Sequence, residues 1–384
     1  MLSDKTAIAG IGATEFSKNS GRSELRLASE AVCSALADAG IEASQVDGLC
    51  TMGADNTSEV EIARAIGAGE LTFFSRIPFG GGGACAVVQQ AALAVASGLA
   101  STVVCYRAMN ERSQYRFGGP LPSAPTAEGE VTHYHTLHGL ATAASFVAVM
   151  IRRYMHQYGA TRQDFANVAI AARKHAAVNP AAFFYGKELT LDDYLGSRMI
   201  SDPLHLYDCC MESDGAVALV VTSAERARDL KTKPVMVRAA AQGAARGNIP
   251  LMGFYGDDII PFEDTRIVSE QLYAMGGLSA KDMDAAIIYD HFGPTILPAL
   301  EASGFCNRGE AKDFIRDGNI EIGGGLPVNT HGGQVGEAYI HGMNGIAEAV
   351  RQVRGSAINQ VAGLENILVT SGGGVPTSGL ILGN

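Results

Sequence analysis

The sequence predicts an α/β fold made of two similar halves, each with parallel strands covered by helices. In each half a glycine-rich run, Gly80–Gly83 or Gly332–Gly333, opens a helical stretch, and a β-branched strand follows at 101–105 or 366–370. Strands that alternate with helices are typical of parallel sheets. Two halves arranged alike indicate a fused pair with its functional site between them.

The other strands are predicted from short apolar runs, which are the usual strand signal. A first strand is expected at the N-terminus, one strand precedes each glycine run, and one strand closes each half. These runs are 6–12, 47–50, 216–221, 285–288 and 379–382. The pattern divides the chain into an N-terminal half, residues 1–232, and a C-terminal half, residues 233–384.

A long segment, about residues 107–213, interrupts the first half. It mixes turns such as Gly118–Pro120 with helical runs and with His133, His135 and His138. A connection this long in a compact scaffold usually forms a lid or a binding region. The three histidines lack acidic or cysteine partners in zinc-binding spacing. They are interpreted as loop residues, and no metal site is predicted.

Composition narrows the class of protein. The 384 residues are 47% hydrophobic and only 18% charged, which is typical of a well-buried enzyme. The net charge of −11 disfavours nucleic acid as a partner. Seven scattered cysteines are interpreted as reduced thiols, and no signal peptide or membrane-spanning run is recognised. A cytoplasmic protein is therefore predicted.

Two tyrosines are the leading catalytic candidates because they lie in matched loops of the two halves. Tyr289 ends an apolar strand-like run, and Tyr339 follows the second glycine loop. A phenol, whose ordinary pKa is about 10, is a natural proton donor. Asp290 and His291 are predicted to support this pair. His341 is a lesser candidate that is expected to face a dimer contact or the sheet edge.

A second group of residues is predicted to bind substrate and to stabilise an oxyanion. Backbone N–H groups at a helix start suit a negative charge, which points to the first glycine run. The other members lie in the second glycine loop and in the last Gly-rich loop. The predicted set is Gly81, Gly82, His331, Gly332, Gly333, Ser371 and Gly372.

Four sequence blocks resemble the thiolase superfamily over nearly the whole chain. They are Ser201–Cys210, Ser213–Ala216, Tyr289–Phe292 and Asn329–Gly333, and they are most similar to the lipid-transfer-protein-like thiolases. The resemblance implies the thiolase fold. In that fold two duplicated βαβαβαββ halves pack as α-β-α-β-α layers with an inserted loop domain.

Three thiolase positions are changed. Counting seventeen residues back from Gly98 places Gly81 where thiolases carry their nucleophilic cysteine, so Cys85 is one helical turn too late. Tyr339 replaces the thiolase histidine, and Ser371 replaces the last cysteine. Cys85 is interpreted as a buried core residue. A thiolase that uses Cys85, and a non-catalytic lipid or acyl-CoA carrier, are kept as alternatives.

The chain looks like the lipid-transfer-protein-like aldolases of bacterial steroid side-chain degradation. This resemblance implies retro-aldol cleavage of a 17-hydroxy steroid with a CoA-thioester side chain, giving a 17-ketosteroid and propionyl-CoA. It also implies that the two tyrosines do the chemistry. Tyr339 is predicted to be the base, with its pKa lowered by the Gly332–Gly333 loop and by His331. Tyr289 is predicted to be the donor.

The same resemblance implies an assembly. Family members are homodimers that bind a separate small protein with a zinc ribbon and an OB-fold. This chain lacks such a ribbon, so the partner is expected to be another protein. No cofactor is expected beyond the CoA of the substrate.

Overall fold

The strands and helices follow the predicted alternation. The computed structural model describes residues 2–78, 80–116, 118–119, 133–248, 258–260, 262–372 and 377–384. The strands are β1 (Thr6–Ala13), β2 (Gly48–Met52), β3 (Phe73–Ile77), β4 (Thr102–Asn110), β5 (Met199–Ser201), β6 (Leu204–His205), β7 (Asp214–Ser223), β8 (Val235–Gly243), β9 (Ala285–Ile287), β10 (Asn366–Ser371) and β11 (Thr377–Gly383).

The α-helices lie mainly between these strands. They are α1 (Glu24–Ala39), α2 (Glu59–Ile66), α3 (Ala84–Ala96), α4 (Ala143–Tyr158), α5 (Arg162–Val178), α6 (Leu191–Leu195), α7 (Ala224–Ala227), α8 (Glu263–Gly276), α9 (Ile296–Ala302), α10 (Ala311–Phe314), α11 (Gly333–Gly336) and α12 (Met343–Arg354). Six of these twelve helices begin with a side-chain N-cap. Ser23 and Ser58, for example, accept backbone hydrogen bonds as N-caps of α1 and α2.

The principal sheet is mixed and not purely parallel. Its order is β3-β2-β4-β7-β1-β8-β11-β10-β9, and only two residue pairs join β1 to β8, so it divides there into two half-sheets. β2 is parallel to β3 and β4, and β9 is parallel to β10. β7 is antiparallel to β4, and β11 is antiparallel to β10. The prediction of parallel sheets is therefore wrong for these closing strands, each of which runs antiparallel to the strand before it in the sheet.

The core has three hydrophobic clusters that define the layers. Along β4, Cys105 and Met109 point into a central cluster, whereas Val104 and Tyr106 point into an outer cluster under α1. Side chains of a strand alternate in this way between the two faces of its sheet. Helices α3 and α12 lie in the central cluster, and α8 and α9 cover the opposite outer face. The arrangement is the predicted α-β-α-β-α layering.

The two halves are not equally regular. The first half shows the full βαβαβαββ order, with β7 as its last strand. In the second half, within the described residues, the counterpart of β3 is reduced to a parallel bridge between Ala286 and Val328. Three consecutive glycines, Gly323–Gly325, and Pro327 precede Val328, and polar residues follow it, which disfavours a longer strand there.

The insertion begins later than predicted. β4 continues to Asn110, so Arg107 belongs to a buried strand, and the described part of the insertion contains α4, α5, α6 and the β5–β6 pair. The chain returns to the sheet at Asp214, the first residue of β7. The boundary between the halves at residue 232 stays a prediction. Among the described helices, none is both long and apolar enough to cross a membrane.

Candidate active site

The structure brings Tyr289 and Tyr339 together. Tyr289 follows β9 and Tyr339 follows α11, and both side chains are buried, with 7% and 9% of their surface exposed. Their hydroxyl oxygens are 3.1 Å apart, and their rings meet edge to face with centroids 6.5 Å apart. One phenol therefore donates a hydrogen bond to the other. Two loops of the second half, 50 residues apart in sequence, create this contact. The expectation that the tyrosines lie in matched loops of the two different halves is therefore wrong.

The first glycine run makes room for this pair. A Cβ placed on Gly81 would lie 1.5 Å from the Tyr289 hydroxyl oxygen, and a Cβ on Gly80 would lie 2.9 Å from Cε1 of His341. Both distances are far below van der Waals contact. The Tyr289 phenol thus occupies the volume that a side chain at position 81 would need. Gly81–Gly83 form a short 3₁₀ turn that leads directly into α3, so the phenol lies at the start of that helix.

The second glycine loop has a different environment. A Cβ on Gly332 would lie 2.6 Å from Cβ of Ala176 in α5, and a Cβ on Gly333 would lie 2.0 Å from Oδ2 of Asp290. Both glycines have positive φ, 111° and 67°, which L-residues rarely adopt. The N–H of Gln334 donates to Oδ1 of Asp290 at 2.8 Å. These glycines hold the loop against the insertion and against Asp290.

Asp290 and His291 are buried next to Tyr289. Burial raises the pKa of Asp290 to about 6. Burial also lowers the pKa of His291 to about 4, so that its ring is neutral near pH 7. The imidazole of His291 packs on the Tyr289 ring with centroids 5.1 Å apart. Its backbone carbonyl accepts from the N–H of Cys210 at 3.0 Å, which ties it to the end of the insertion.

His331 lies in a buried polar cluster of its own. Its Nε2 is 4.0 Å from Oε2 of Glu337, and its carbonyl accepts from Asn179 at 3.0 Å. Burial, against an opposing effect of Glu348, lowers the pKa of its imidazole to about 4. Its described contacts are with these groups and not with either tyrosine. His331 is therefore a neutral part of the packing between α5, α11 and α12.

The expected lowering of the pKa of Tyr339 is wrong. Burial, the neighbouring Tyr289 phenol and nearby acidic groups hold the pKa of Tyr339 well above its usual range. The pKa of Tyr289 is also raised by burial, although its hydrogen bond with Tyr339 opposes the rise. The neutral His331 supplies no positive charge to oppose these effects. Both phenols stay protonated at neutral pH.

His341 was expected at a dimer contact or a sheet edge, and the structure corrects this. It is buried, and its ring meets the Tyr339 ring edge to face with centroids 5.0 Å apart. Its Nδ1 accepts a hydrogen bond of 3.1 Å from Nε of Arg107, whose Nη1 is 3.0 Å from Oδ2 of Asp55. Sequence reasoning missed Arg107 and Asp55. The available signal was a lone arginine inside the apolar run of β4.

Cys85 and Ser371 lie deeper than the tyrosine pair. Cys85 is wholly buried in the first turn of α3, where its thiol donates to the Val369 carbonyl at 3.8 Å. Burial raises the pKa of this thiol to about 12, against an opposing interaction with Ser371. The Ser371 oxygen would be 3.4 Å from a Cβ on Gly342, which places it beside the loop after Tyr339. Gly372 follows with a positive φ of 85°.

The end of the insertion closes over the pair. The Tyr339 N–H donates to the hydroxyl of Ser213 at 3.3 Å, and the Met211 N–H donates to the Gln334 carbonyl at 3.2 Å. Cys210 and Glu111, two further groups absent from the predicted site, contribute to raising the pKa values of both phenols. The site is therefore assembled from both halves and from both ends of the insertion.

The three histidines of the insertion do not form a metal centre in the part of the chain that the structure describes. There, no group of three or more His, Cys, Asp or Glu side chains is arranged to hold a metal ion. The ring of His135 packs on Phe146, and the ring of Tyr134 packs on His135 and His138. These contacts are those of packed aromatic rings.

The comparison with known protein families agrees with the fold. Residues 6–225 match the thiolase N-terminal domain, and residues 254–383 match the thiolase C-terminal domain-like family. The chain belongs to the thiolase family. It is 58% identical over 386 residues to the 17-hydroxy-3-oxo-4-pregnene-20-carboxyl-CoA lyase of Mycobacterium tuberculosis, with 100% of each chain covered. It is 59% identical to a steroid side-chain-cleaving aldolase of Thermomonospora curvata, over 100% of this chain and 99% of that one.

Solved structures give the same result. The Ltp2-ChsH2(DUF35) aldolase superposes with a TM-score of 0.96 at 59% identity, covering 100% of this chain and 98% of that chain. Human mitochondrial 3-ketoacyl-CoA thiolase superposes with a TM-score of 0.71 at 15% identity, covering 100% of both chains. The second likeness shows the shared fold alone. The first joins this chain to relatives that are lyases and aldolases.

Proposed function

We propose that this chain is a carbon–carbon lyase that cleaves a 17-hydroxy steroid with a CoA-thioester side chain by retro-aldol chemistry. The products are a 17-ketosteroid and propionyl-CoA. The observation that carries the proposal is the 3.1 Å contact between the Tyr289 and Tyr339 hydroxyls above the side-chain-free Gly81. The substrates in the names of the relatives at 58% and 59% identity support the same chemistry.

Acyl transfer through cysteine is disfavoured by the same geometry. Gly81 carries no nucleophile, and the Tyr289 phenol fills the adjacent volume. The Cys85 thiol is wholly buried, and burial raises its pKa to about 12, so the thiolate is scarce at neutral pH. Since the thiolate is the reactive form of cysteine, Cys85 is not suited to attack a thioester.

Two neutral phenols in contact can relay a proton. In the proposed step the substrate hydroxyl passes its proton to Oη of Tyr339 as the C–C bond breaks and the ketone forms. Tyr339 passes its own proton to Oη of Tyr289, and Tyr289 gives its proton to the enolate carbon. The electrons of the broken bond become the new C–H bond. Both tyrosines end neutral, so their raised pKa values are no obstacle.

The electron balance of this step needs no redox cofactor, and CoA enters only as part of the substrate. The enolate oxygen of the thioester gains charge before the carbon is protonated. Backbone N–H groups at a helix start stabilise such a charge. The Tyr289 phenol lies against Gly81, just before the start of α3. We therefore assign the stabilisation of the enolate oxygen to the backbone N–H groups of Gly81 and Gly82. His331, Gly332 and Gly333 have structural contacts instead, and we assign them the support of the loop.

The decisive experiment is removal of one hydroxyl at a time. Tyr289→Phe and Tyr339→Phe should each lower turnover by about 10²–10⁴-fold, the usual range for a lost acid or base, with little change in KM. The double variant should be no worse than the poorer single variant, because the two groups act as one unit. Release of steroid ketone and of acyl-CoA is measured for each variant.

Tyr273→Phe is the matched control. It also removes a phenol hydrogen bond, 2.8 Å to the Ser303 carbonyl, but on α8, away from the tyrosine pair. It should keep wild-type turnover within about threefold, since lost hydrogen bonds of this kind change stability by about 0.5–1.5 kcal/mol. Near-normal turnover in both site variants would contradict the two-tyrosine mechanism.

We also propose a homodimer that binds a separate small protein with a zinc ribbon and an OB-fold, in the cytoplasm. The name of the Ltp2-ChsH2(DUF35) aldolase, which pairs two components, supports a partner of this kind. Light scattering of the purified chain, alone and mixed with a DUF35 protein, tests the assembly. A fully active monomer that gains no mass on mixing would contradict it.

A further inference from the structure

Arg107 is a buried cation close to the reaction site that the proposed mechanism does not use. Its side chain is wholly buried at the centre of β4, with 0% of its surface exposed. Its Nη1 donates to the Ala108 carbonyl at 2.9 Å and is 3.0 Å from Oδ2 of Asp55. Asp55 is itself held by the N–H of Ala108 at 2.9 Å and of Thr57 at 2.8 Å. The guanidinium is therefore fixed from several sides.

The remaining contact of this arginine defines the state of His341. Nε of Arg107 is 3.1 Å from Nδ1 of His341. A guanidinium nitrogen carries hydrogen in every protonation state found in proteins, so it can only donate. Nδ1 must then accept, which puts the single proton of the neutral imidazole on Nε2. The contact thus selects one of the two tautomers and also opposes a second proton on the ring.

The selected nitrogen faces the reaction site. A Cβ on Gly80 would lie 3.0 Å from Nε2 of His341, and the next residue, Gly81, lies against the Tyr289 hydroxyl. The His341 ring also meets the edge of the Tyr339 ring. His341 has a φ of 52°, which a non-glycine residue keeps only when its surroundings hold it there.

We propose that Arg107 is a positioning residue for the reaction, acting through the donor hydrogen on its Nε. It keeps His341 neutral, protonated on Nε2 and packed edge-on against Tyr339, so that His341 presents a hydrogen-bond donor, not a proton acceptor, beside the tyrosine pair. A histidine that accepted protons there would divert the proton that the relay must deliver to carbon. This inference rests on the proposed function for its effect on rate, but the tautomer itself does not.

Two variants separate the hydrogen bond from the charge. In Arg107→Gln the amide nitrogen stands at the same bond position as Nε, so an N–H donor remains while the charge is lost. In Arg107→Lys the charge remains, but a methylene stands at the Nε position. Asp55 is left unchanged in both variants, because its two oxygens accept the N–H groups of Thr57 and Ala108, and an asparagine could accept only one of them. Thermal melting checks that each variant folds.

The expected results differ in direction. The Arg107→Gln protein should keep turnover within about threefold. Arg107→Lys should lose about 10–100-fold in turnover with KM nearly unchanged, the range known for losing the partner that orients a metal-bound histidine. The reverse ranking would show that the charge matters and would overturn the proposal, and equal losses in both would mark Arg107 as a purely structural residue.

The tautomer is measured without substrate. ¹⁵N spectra of histidine-labelled protein, with His341→Gln to identify the signals, should show an unprotonated Nδ1 and a protonated Nε2 in the wild type and in the Gln variant. The Lys variant should lose this pattern. If the pattern holds but the tyrosine variants are fully active, the proposed function fails and the tautomer assignment stands. A protonated Nδ1 in the wild type would overturn the inference.

Discussion

The two glycine loops look alike in sequence but do different work. In the first, Gly80 and Gly81 leave space that side chains from the second half, His341 and Tyr289, enter. In the second, Gly332 packs against α5, where backbone meets backbone. The first loop therefore admits reacting groups, and the second holds the framework. A glycine run in a sequence indicates a close approach of the backbone to another group, but it does not identify that group.

The largest effect should come from a methyl group in the first loop. Gly81→Ala puts Cβ 1.5 Å from the Tyr289 oxygen, so the phenol must leave its place next to Tyr339. Turnover should fall by about 10²–10⁴-fold, as for loss of the hydroxyl itself. The control is Gly243→Ala, where the nearest atoms are at 3.4 Å and a methyl fits. Steady-state assays of both variants check this, and an active Gly81→Ala protein would remove the distinction between the loops.

A methyl group in the second loop should act on stability. Gly332→Ala meets Cα of Ala176 at 2.9 Å and must keep a φ of 111°, so it should destabilise the protein by about 2–4 kcal/mol. Gly355→Ala is the control for a positive φ with open space: its φ of 74° is close to the left-handed region, so the larger loss at Gly332 reports the clash together with the wider φ. Chemical denaturation measures both. Turnover of the folded Gly332→Ala protein should stay within about tenfold.

His331, in the second loop, should make stability depend on pH. Its pKa is about 4 in the folded protein against 6.5 for a free histidine, so the unfolded chain binds the proton more tightly. The contribution of His331 to the free energy of unfolding is therefore highest above pH 6.5. It falls by about 3 kcal/mol at most as the pH drops toward 4, because the unfolded chain takes up the proton first. His331→Gln should therefore flatten this part of the stability curve without a matching change in turnover. An unchanged slope would place the titration on other buried histidines.

The smallest effect is expected at Cys85, which lies in the first turn of α3, directly after the first loop. Cys85→Ala removes a thiol that donates to the Val369 carbonyl and interacts with Ser371. Neither contact belongs to the proposed proton relay, so turnover should stay within about threefold, and stability should fall by about 1 kcal/mol. Enzyme assays and thermal melting check both values. A loss of about 10³-fold with normal folding would instead indicate cysteine chemistry.

Local sequence patterns predicted most of the helices and strands. The strands at 102–110 and 366–371 were evident because their β-branched and apolar residues follow glycine-led helices. The direction of the closing strands could not be predicted, because the composition of a strand does not show whether it pairs in the parallel or the antiparallel sense. The short strand near Val328 was also missed: the glycines and the proline before it are a local signal, but its pairing with Ala286 is not local in sequence.

The site was only partly readable for a similar reason. The two tyrosines could be singled out from the sequence, but both lie in the second half, so the duplication did not predict their contact. Arg107 and His341 are 234 residues apart, and no spacing rule links a strand of one half to a loop of the other. The pKa of Tyr339 was misjudged because burial, which cannot be read from a loop sequence, outweighs any nearby dipole.

The single volume above Gly81 also orders the mutational history of the site. A cysteine at 81 and a tyrosine at 289 exclude one another, since the phenol oxygen would lie 1.5 Å from the Cβ. Exchanging the cysteine for glycine first leaves only a small cavity, whereas introducing the tyrosine first creates a steric clash in a packed core. The effect of either substitution therefore depends on the residue at the other position. A cysteine nucleophile at 81 and the phenol pair are alternatives at this site, because they require the same volume.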